Sequence, residues 1–163
     1  MLYKSKSSAP LNEKTTVYDI LVKIYFGGEL SKRKVLVIDD EYTLLRLVQM
    51  LLSRKGYEVT VALSSPDGRN MLSRNGPVDV IVLDLMMPKE SGFAFLEWKD
   101  TQPEEIKKIP VIIDTAKNIK DEELTFLQPR CAQIVMKEMN FTENLTAQID
   151  ALFKDKVEAP LPL

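Results

Sequence analysis

Short apolar runs alternate along the chain with segments whose apolar residues recur every three or four positions. Five such runs are typical of strands that are buried on both faces of a parallel sheet. The segments between them have apolar residues at helical spacing, as in Leu45, Val48 and Leu52. The pattern predicts five strands, at Lys34–Asp39, Glu58–Ala62, Asp79–Asp84, Pro110–Thr115 and Ala132–Lys137.

A helix is predicted after each strand, and glycine or proline separates most of these pairs. Gly56 follows the first helix, and Ser65 with Pro66 at the first helical position starts the second, which Gly76-Pro77 ends. The remaining helices are Phe93–Asp100, Asp121–Leu127 and a last one with Leu145, Ile149, Leu152 and Phe153, for which Asn140 and Glu143 form a potential capping pair. Five βα units predict an α/β fold: a doubly wound five-stranded parallel sheet with helices on both faces.

The two ends of the chain fall outside this repeat. Residues 1–31 are predicted to be an N-terminal extension with a short amphipathic helix at about 16–26, and residues 155–163 a flexible tail around a domain at 32–154. A helix of about eleven residues is marginal alone in water. We therefore expect its apolar stripe to be buried in a homodimer or partner contact, with packing on its own domain as the alternative.

Composition excludes several classes of function. The 22 Lys and Arg residues against 24 Asp and Glu give a net charge of -2. The sequence has no strongly basic stretch, so direct nucleic-acid binding is not expected. No apolar run is long enough for membrane insertion and the N-terminus lacks a signal peptide, so a cytoplasmic protein is expected. There is no histidine, and Cys131 is the one cysteine. Ser-His-Asp catalytic triads, phosphohistidine carriers and Cys-rich zinc sites are therefore excluded within this sequence.

Polar residues end four of the five predicted strands. Asp39 and Asp40 end the first, Asp84 the third, Thr115 the fourth and Lys137 the fifth. The carboxyl ends of parallel strands form the ligand crevice of such sheets. Clustered carboxylates repel each other and favour a hard cation such as Mg²⁺, while a hydroxyl and an ammonium suit phosphoryl oxygens. The pattern predicts metal-assisted phosphoryl transfer onto a carboxylate.

Four segments carry a family resemblance: VLVIDDE, VIVLDLMMPKESG, PVIIDTA and IVMK. In this order they resemble the response-regulator receiver domains of two-component signalling, which have a flavodoxin-like fold, over about Lys34 to Phe153. The resemblance implies a phosphoacceptor, Mg²⁺ and protein contacts as output, rather than an enzyme. The implied roles are phosphoacceptor for Asp84, metal ligands for Asp39, Asp40, Asp84 and the Met86 carbonyl, and phosphoryl contacts for Thr115, the Ala116 N–H and Lys137.

Three positions depart from the family pattern. Glu138 stands where a cis proline usually follows the lysine, which favours a trans bond. Ile134 replaces an aromatic residue that rotates on activation. Asp114 replaces an apolar residue before Thr115; because an unpaired buried carboxylate is costly, we expect it to face outward or to pair with Lys117. These departures put signal transmission in doubt and leave the acceptor site intact.

Two other functions remain open on sequence alone. One is a degenerate receiver that acts as a phosphorylation-independent interaction module. The other is an aspartyl-phosphate hydrolase, since Asp39-x-Glu41-x-Thr43 faintly resembles its nucleophile motif. For the leading hypothesis the resemblance implies a histidine kinase or histidine phosphotransfer protein as donor, and a downstream protein partner.

Overall fold

The computed structural model describes residues 32–154, so the predicted N-terminal extension and C-terminal tail lie outside the described residues. The described strands are β1 (Lys34–Ile38), β2 (Glu58–Ala62), β3 (Val80–Leu83), β4 (Val111–Thr115) and β5 (Gln133–Met136). The helices are α1 (Tyr42–Arg54), α2 (Ser65–Asn75), α3 (Gly92–Asp100), α4 (Glu104–Lys107), α5 (Asp121–Leu127) and α6 (Phe141–Lys154). Within this part of the chain, no helix is both long and apolar enough to cross a bilayer.

The five strands form one parallel sheet in the order β2-β1-β3-β4-β5. The predicted doubly wound α/β fold is therefore confirmed. The chain reverses its direction of winding beside β1, between β1 and β3, and the polar strand ends gather at this edge. β1 and β3 lie side by side in the register Ile38 to Leu83, and β3 and β4 in the register Leu83 to Ile113.

Both faces of the sheet are covered, which explains why the strands are predominantly apolar. On one face Leu36, Ile38, Ile81, Leu83 and Ile113 pack with buried residues of α2, α3 and α5. On the other face the alternate strand residues pack with α1 and α6: Val35, Val37, Val80, Val82, Ile112 and Val135. Because side chains alternate along a strand, each strand contributes to both cores.

The described helices differ from the sequence prediction in three places, one of which is that α3 begins at Gly92 rather than Phe93. The N-cap of α2 is Ser64, whose hydroxyl accepts a hydrogen bond from the Asp67 N–H, so Pro66 lies one residue deeper than predicted. The short helix α4 was not predicted at all. Pro103 followed by Glu104 and Glu105 was the available signal, since proline and acids favour a helix start.

Candidate functional site

Three carboxylates come together where β1 and β3 end. Asp39 and Asp40 follow β1 and Asp84 follows β3, and one oxygen from each lies within 4.8 Å of the others. Asp39 and Asp84 are buried, whereas Asp40 is exposed. The three predicted acids therefore form one cluster with an open side toward solvent.

Backbone hydrogen bonds continue past the strand ends and fix the two buried acids. The Asp39 N–H donates to the Ala62 carbonyl at 3.1 Å, and the Asp84 N–H donates to the Ile38 carbonyl at 2.9 Å. The Asp39 carboxylate in turn accepts from the Glu41 N–H at 2.7 Å, which closes the turn into α1. Asp39 and Asp84 are thus held side by side by the sheet itself.

The loop after Asp84 is shaped by a glycine. A Cβ at Gly92 would lie 2.3 Å from the Asp84 carbonyl oxygen and 2.9 Å from Leu85 Cα. Both distances are too short for a side chain to fit unless the backbone moves. The Gly92 N–H donates to the Leu85 carbonyl, and the Met86 N–H donates to the Asp84 carboxylate at 3.1 Å. Gly92 therefore lets the loop fold tightly behind the acid.

Lys137 is the cation of the site. Its Nζ donates to Asp39 at 2.5 Å and lies 3.3 Å from the Asp84 carboxylate, and its side chain is 15% exposed. Burial acts to lower the pKa of Lys137, but the neighbouring carboxylates, Asp39 first, raise it above its usual value. The ammonium therefore stays charged and bridges two acids.

Burial acts on Asp39 in the opposite sense. It raises the pKa of Asp39, and the hydrogen bonds from Lys137 and Glu41 offset this only in part. One ammonium is thus shared among several carboxylates, and the cluster keeps an excess of negative charge.

Thr115 and Ala116 occupy the end of the adjacent strand. Thr115 is fully buried, and its Oγ1 accepts a hydrogen bond from the Lys117 N–H at 3.2 Å. The Thr115 carbonyl accepts from the Lys137 N–H at 2.9 Å, which ties the ends of β4 and β5 together. Ala116 follows as an exposed residue. Both predicted residues therefore lie at the same sheet edge as the acids.

The expectation for Asp114 is wrong on both alternatives. Asp114 does not face outward, because it is only 2% exposed, and Lys117 forms its ion pair with Glu123 at 3.2 Å instead. The Asp114 Oδ1 atom is buried without a hydrogen-bond partner within residues 32–154. Burial first, then the charges of Asp39 and Asp84, raise the pKa of Asp114 to about 7, although Lys137 acts to lower it.

Asp114 was predicted to face outward because it was treated as the last residue of a strand. The alternation of side chains along β4 indicates instead that it faces the core. Ile112 and Asp114 point to the same face, and Ile112 is a core position there.

The other two departures are accommodated without strain in the described backbone. The peptide bonds of residues 32–154 are all trans, including the one before Glu138, as the sequence predicts. Glu138 is exposed. Ile134 is half-buried, packs against the core formed with α2, α3 and α5, and pairs in register with Ile113.

The donor set fits a hard divalent cation. Asp39, Asp40 and Asp84 offer carboxylate oxygens, and Mg²⁺ prefers such oxygens together with retained water and substrate phosphate. The exposed side of Asp40 leaves room for those further ligands. The backbone of Met86 lies in the same loop as Asp84, as its hydrogen bond to that side chain shows.

Known proteins share this fold and these sequence features. The family described as "Response regulator receiver domain" matches residues 35–150. A relative from Cyanophora paradoxa, "Probable transcriptional regulator ycf27", is 32% identical over 129 residues, which cover 77% of this chain and 50% of that protein. The chain thus spans about half the length of this relative.

Solved structures agree with the sequence comparison. A response regulator receiver domain protein from Clostridium thermocellum is 32% identical, with a TM-score of 0.62 over 76% of this chain and 96% of that one. The response regulator TrrA from Thermotoga maritima, solved in complex with Mg²⁺-BeF, is 25% identical, with a TM-score of 0.63 over 74% of this chain and 98% of that one. The chain therefore belongs to the response regulator receiver domain family, the signalling domains of two-component systems.

Proposed function

We propose that this receiver domain accepts a phosphoryl group on the carboxylate of Asp84, in a reaction that depends on Mg²⁺. The observation that carries the proposal is the arrangement at the sheet edge. Asp84 is buried, shares a cluster with Asp39 and Asp40, and has the Lys137 ammonium 3.3 Å from its carboxylate.

The covalent step is transfer of the phosphoryl group from the donor, whose leaving atom is an oxygen or a nitrogen, to a carboxylate oxygen of Asp84. A carboxylate oxygen of Asp84 attacks phosphorus of the donor, a new P–O bond forms, and the bond from phosphorus to the donor's leaving group breaks with its electron pair. The product is an aspartyl phosphate. Asp84 can act as the nucleophile because Met86 N–H and Lys137 hold its carboxylate in a fixed orientation.

The residues that would hold the metal are Asp39, Asp40, Asp84 and the Met86 carbonyl. When bound, Mg²⁺ supplies charge neutralisation of the phosphoryl oxygens and orients the transferred group. Asp40, exposed to solvent, is suited to direct ligation, and the buried Asp39 to ligation through water.

The remaining site residues stabilise the phosphoryl group. Lys137 contributes an ammonium that needs only a small shift from its present partners to pair with a phosphoryl oxygen. The Thr115 hydroxyl and the Ala116 N–H are donors at the end of β4, beside Asp84. Donors that are in place before the reaction cost little reorganisation.

A protein donor is supported by exposed hydrophobic side chains in the segments that follow the strands around the site. Tyr42 is 63% exposed, Met86 58% and Met139 101%, and each follows the end of a different strand among β1, β3 and β5. An apolar rim around a charged centre suits docking of another protein. A histidine kinase or histidine phosphotransfer protein is the proposed donor, and a downstream protein the proposed recipient of the signal.

The intact acceptor site favours this function over the phosphorylation-independent module. Asp39, Asp40, Asp84 and Lys137 all occupy the same cluster, which a binding module would have no need to keep. The family is also a signalling family rather than one of hydrolases, so a nucleophilic Asp39 is not supported.

The test is phosphorylation with acetyl phosphate and Mg²⁺, read by intact mass. Wild-type protein should gain one phosphoryl group, and neither Asp84→Asn nor wild type in excess EDTA should gain any. The matched control is Asp79→Asn, which changes a carboxylate paired with Arg33 away from the site. Labelling of Asp84→Asn at the wild-type rate would contradict the assignment.

A further inference from the structure

Asp114 lies in a row of acids that crosses the sheet. The register pairs Ile38 with Leu83 and Leu83 with Ile113, so one residue further on, Asp39 and Asp84, just past the ends of β1 and β3, stand side by side with Asp114 in β4. Neighbouring strands in a sheet are about 4.8 Å apart. Alternation puts these three side chains on the face of Val37, Val82 and Ile112, the core formed with α1 and α6.

Lys137 passes over this row. β4 lies between β3 and β5, and Lys137 follows β5 on the same face as Val135, which is paired with Asp114. To bring its ammonium to Asp84 and Asp39, the side chain must cross the end of β4 where Asp114 lies. The electrostatic influence of Asp114 on Lys137 agrees with this path.

The Asp114 carboxyl is separate from the metal-binding group. Among residues 32–154, the acids whose oxygens lie within 4.8 Å of one another are Asp39, Asp40 and Asp84. Asp114 is buried to 98%, and its Oδ1 has no partner in the described part of the chain. A buried polar atom without a partner is costly, and the Lys137 ammonium interacts electrostatically with this carboxyl.

We propose that Asp114 is a positioning residue for Lys137, offering its ammonium a third anchor that competes with the phosphoryl group and so slows phosphorylation of Asp84. The role in the reaction rests on the proposed function; the interaction with Lys137 does not. Phosphoryl transfer brings further negative charge to a site where Lys137 is already shared between Asp39 and Asp84. Attraction of the ammonium to a third carboxylate, Asp114, weakens its contact with the phosphoryl group and so raises the free energy of the phosphorylated site.

The first measurement follows the Lys137 ammonium signal by NMR in lysine-labelled protein without donor, at pH 8, where Asp114 is ionised. Asp114→Asn keeps the shape of the side chain and removes its charge, so the Lys137 signal should move. Ile112→Val is the matched control, because it trims the same face of β4 without changing a charge, and it should leave the signal in place. An unmoved signal in Asp114→Asn overturns the inference whatever happens to Asp84.

The second measurement is the initial rate of labelling by acetyl phosphate and Mg²⁺. At pH 8, where Asp114 is ionised, Asp114→Asn and Asp114→Val should both be labelled faster than wild type, on the order of tenfold, because the charge that competes for Lys137 and repels the transferred group is removed. Ile112→Val should keep the wild-type rate. Equal rates in all four proteins overturn the inference alone, whereas absence of label in all of them overturns the proposed function and the role of Asp114 in it.

Discussion

At the scale of single residues, the site is set by an imbalance of charge. One ammonium, that of Lys137, faces the buried carboxyls of Asp39, Asp84 and Asp114. Burial disfavours ionised carboxyls, so the pKa values of Asp39 and Asp114 are raised. A site built in this way is poised to accept a cation, and its stability depends on pH.

Asp114 should make the metal-free protein less stable as the pH rises from about 4 to about 7. The folded chain keeps a proton on Asp114 up to a pKa of about 7, whereas the unfolded chain releases it near the ordinary value of 3.8. Between these values the folded state binds more protons, so the free energy of unfolding falls with rising pH, by on the order of 3–4 kcal/mol for this group.

Denaturant unfolding of wild type and Asp114→Asn at several pH values, with EDTA present, measures this contribution. The difference in the free energy of unfolding between the two proteins should grow in favour of the variant across that range and level off above about pH 7. A difference that is constant with pH would mean that Asp114 titrates alike in the folded and unfolded chains.

At the scale of elements, the loop between β3 and α3 depends on Gly92. Its replacement by alanine would bring Cβ onto the Asp84 carbonyl and Leu85 Cα, so the backbone that carries Asp84 must move. We expect Gly92→Ala to cost about 1–3 kcal/mol of stability, typical of overpacking, and to slow labelling of Asp84.

Gly76→Ala is the matched control for this loop. Gly76 has a positive φ of 77°, but a Cβ there would meet no atom within 4 Å. Its cost should be about 1 kcal/mol from the backbone alone, with labelling unchanged. Thermal melts and labelling rates check both variants, and equal labelling by Gly92→Ala and wild type would show that the loop tolerates the Cβ.

Most strands and helices of the domain could be predicted from the sequence. Apolar periodicity located all five strands and five of the six described helices, because buried strands and amphipathic helices must follow those patterns. The helix α4, four residues long, is too short to show a period and was missed. The position of Asp114 was missed because its cost depends on neighbours from other strands, which become known only with the register.

At the scale of the whole molecule, parallel strand order brings distant residues to one edge. Asp39 and Lys137 are 98 positions apart in sequence and yet form a hydrogen-bonded ion pair. The site was predictable from strand ends for this reason, since all strands of a parallel sheet end on the same side. The burial of the acids, the sharing of Lys137 and the lack of a partner for the Asp114 Oδ1 within residues 32–154 could be seen only in the folded structure.

Metal binding should stabilise the whole domain through this edge. A ligand at ten times its dissociation constant adds about 1.4 kcal/mol to the free energy of unfolding. Mg²⁺ should therefore raise the thermal midpoint of the wild type. Asp40→Ala should lose this response, and because it removes a repelling charge, its metal-free form should melt at or above the wild-type midpoint.

Thermal melts with EDTA and with increasing Mg²⁺ test both expectations. The control is Glu58→Ala, which removes an exposed carboxylate at the start of β2. Asp67 is less suitable because it takes part in the cap of α2. A metal-free Asp40→Ala protein that is strongly destabilised would show that Asp40 supports the fold rather than the metal.

The central claim is that Asp84, and none of its acidic neighbours, becomes the aspartyl phosphate. Treating the labelled protein with borohydride reduces the acyl phosphate to an alcohol, which converts the modified aspartate to homoserine and marks it for peptide mapping by mass spectrometry. We predict homoserine at position 84 only, and only when both acetyl phosphate and Mg²⁺ were present. Homoserine at position 39, 40 or 114 in place of position 84 would contradict it.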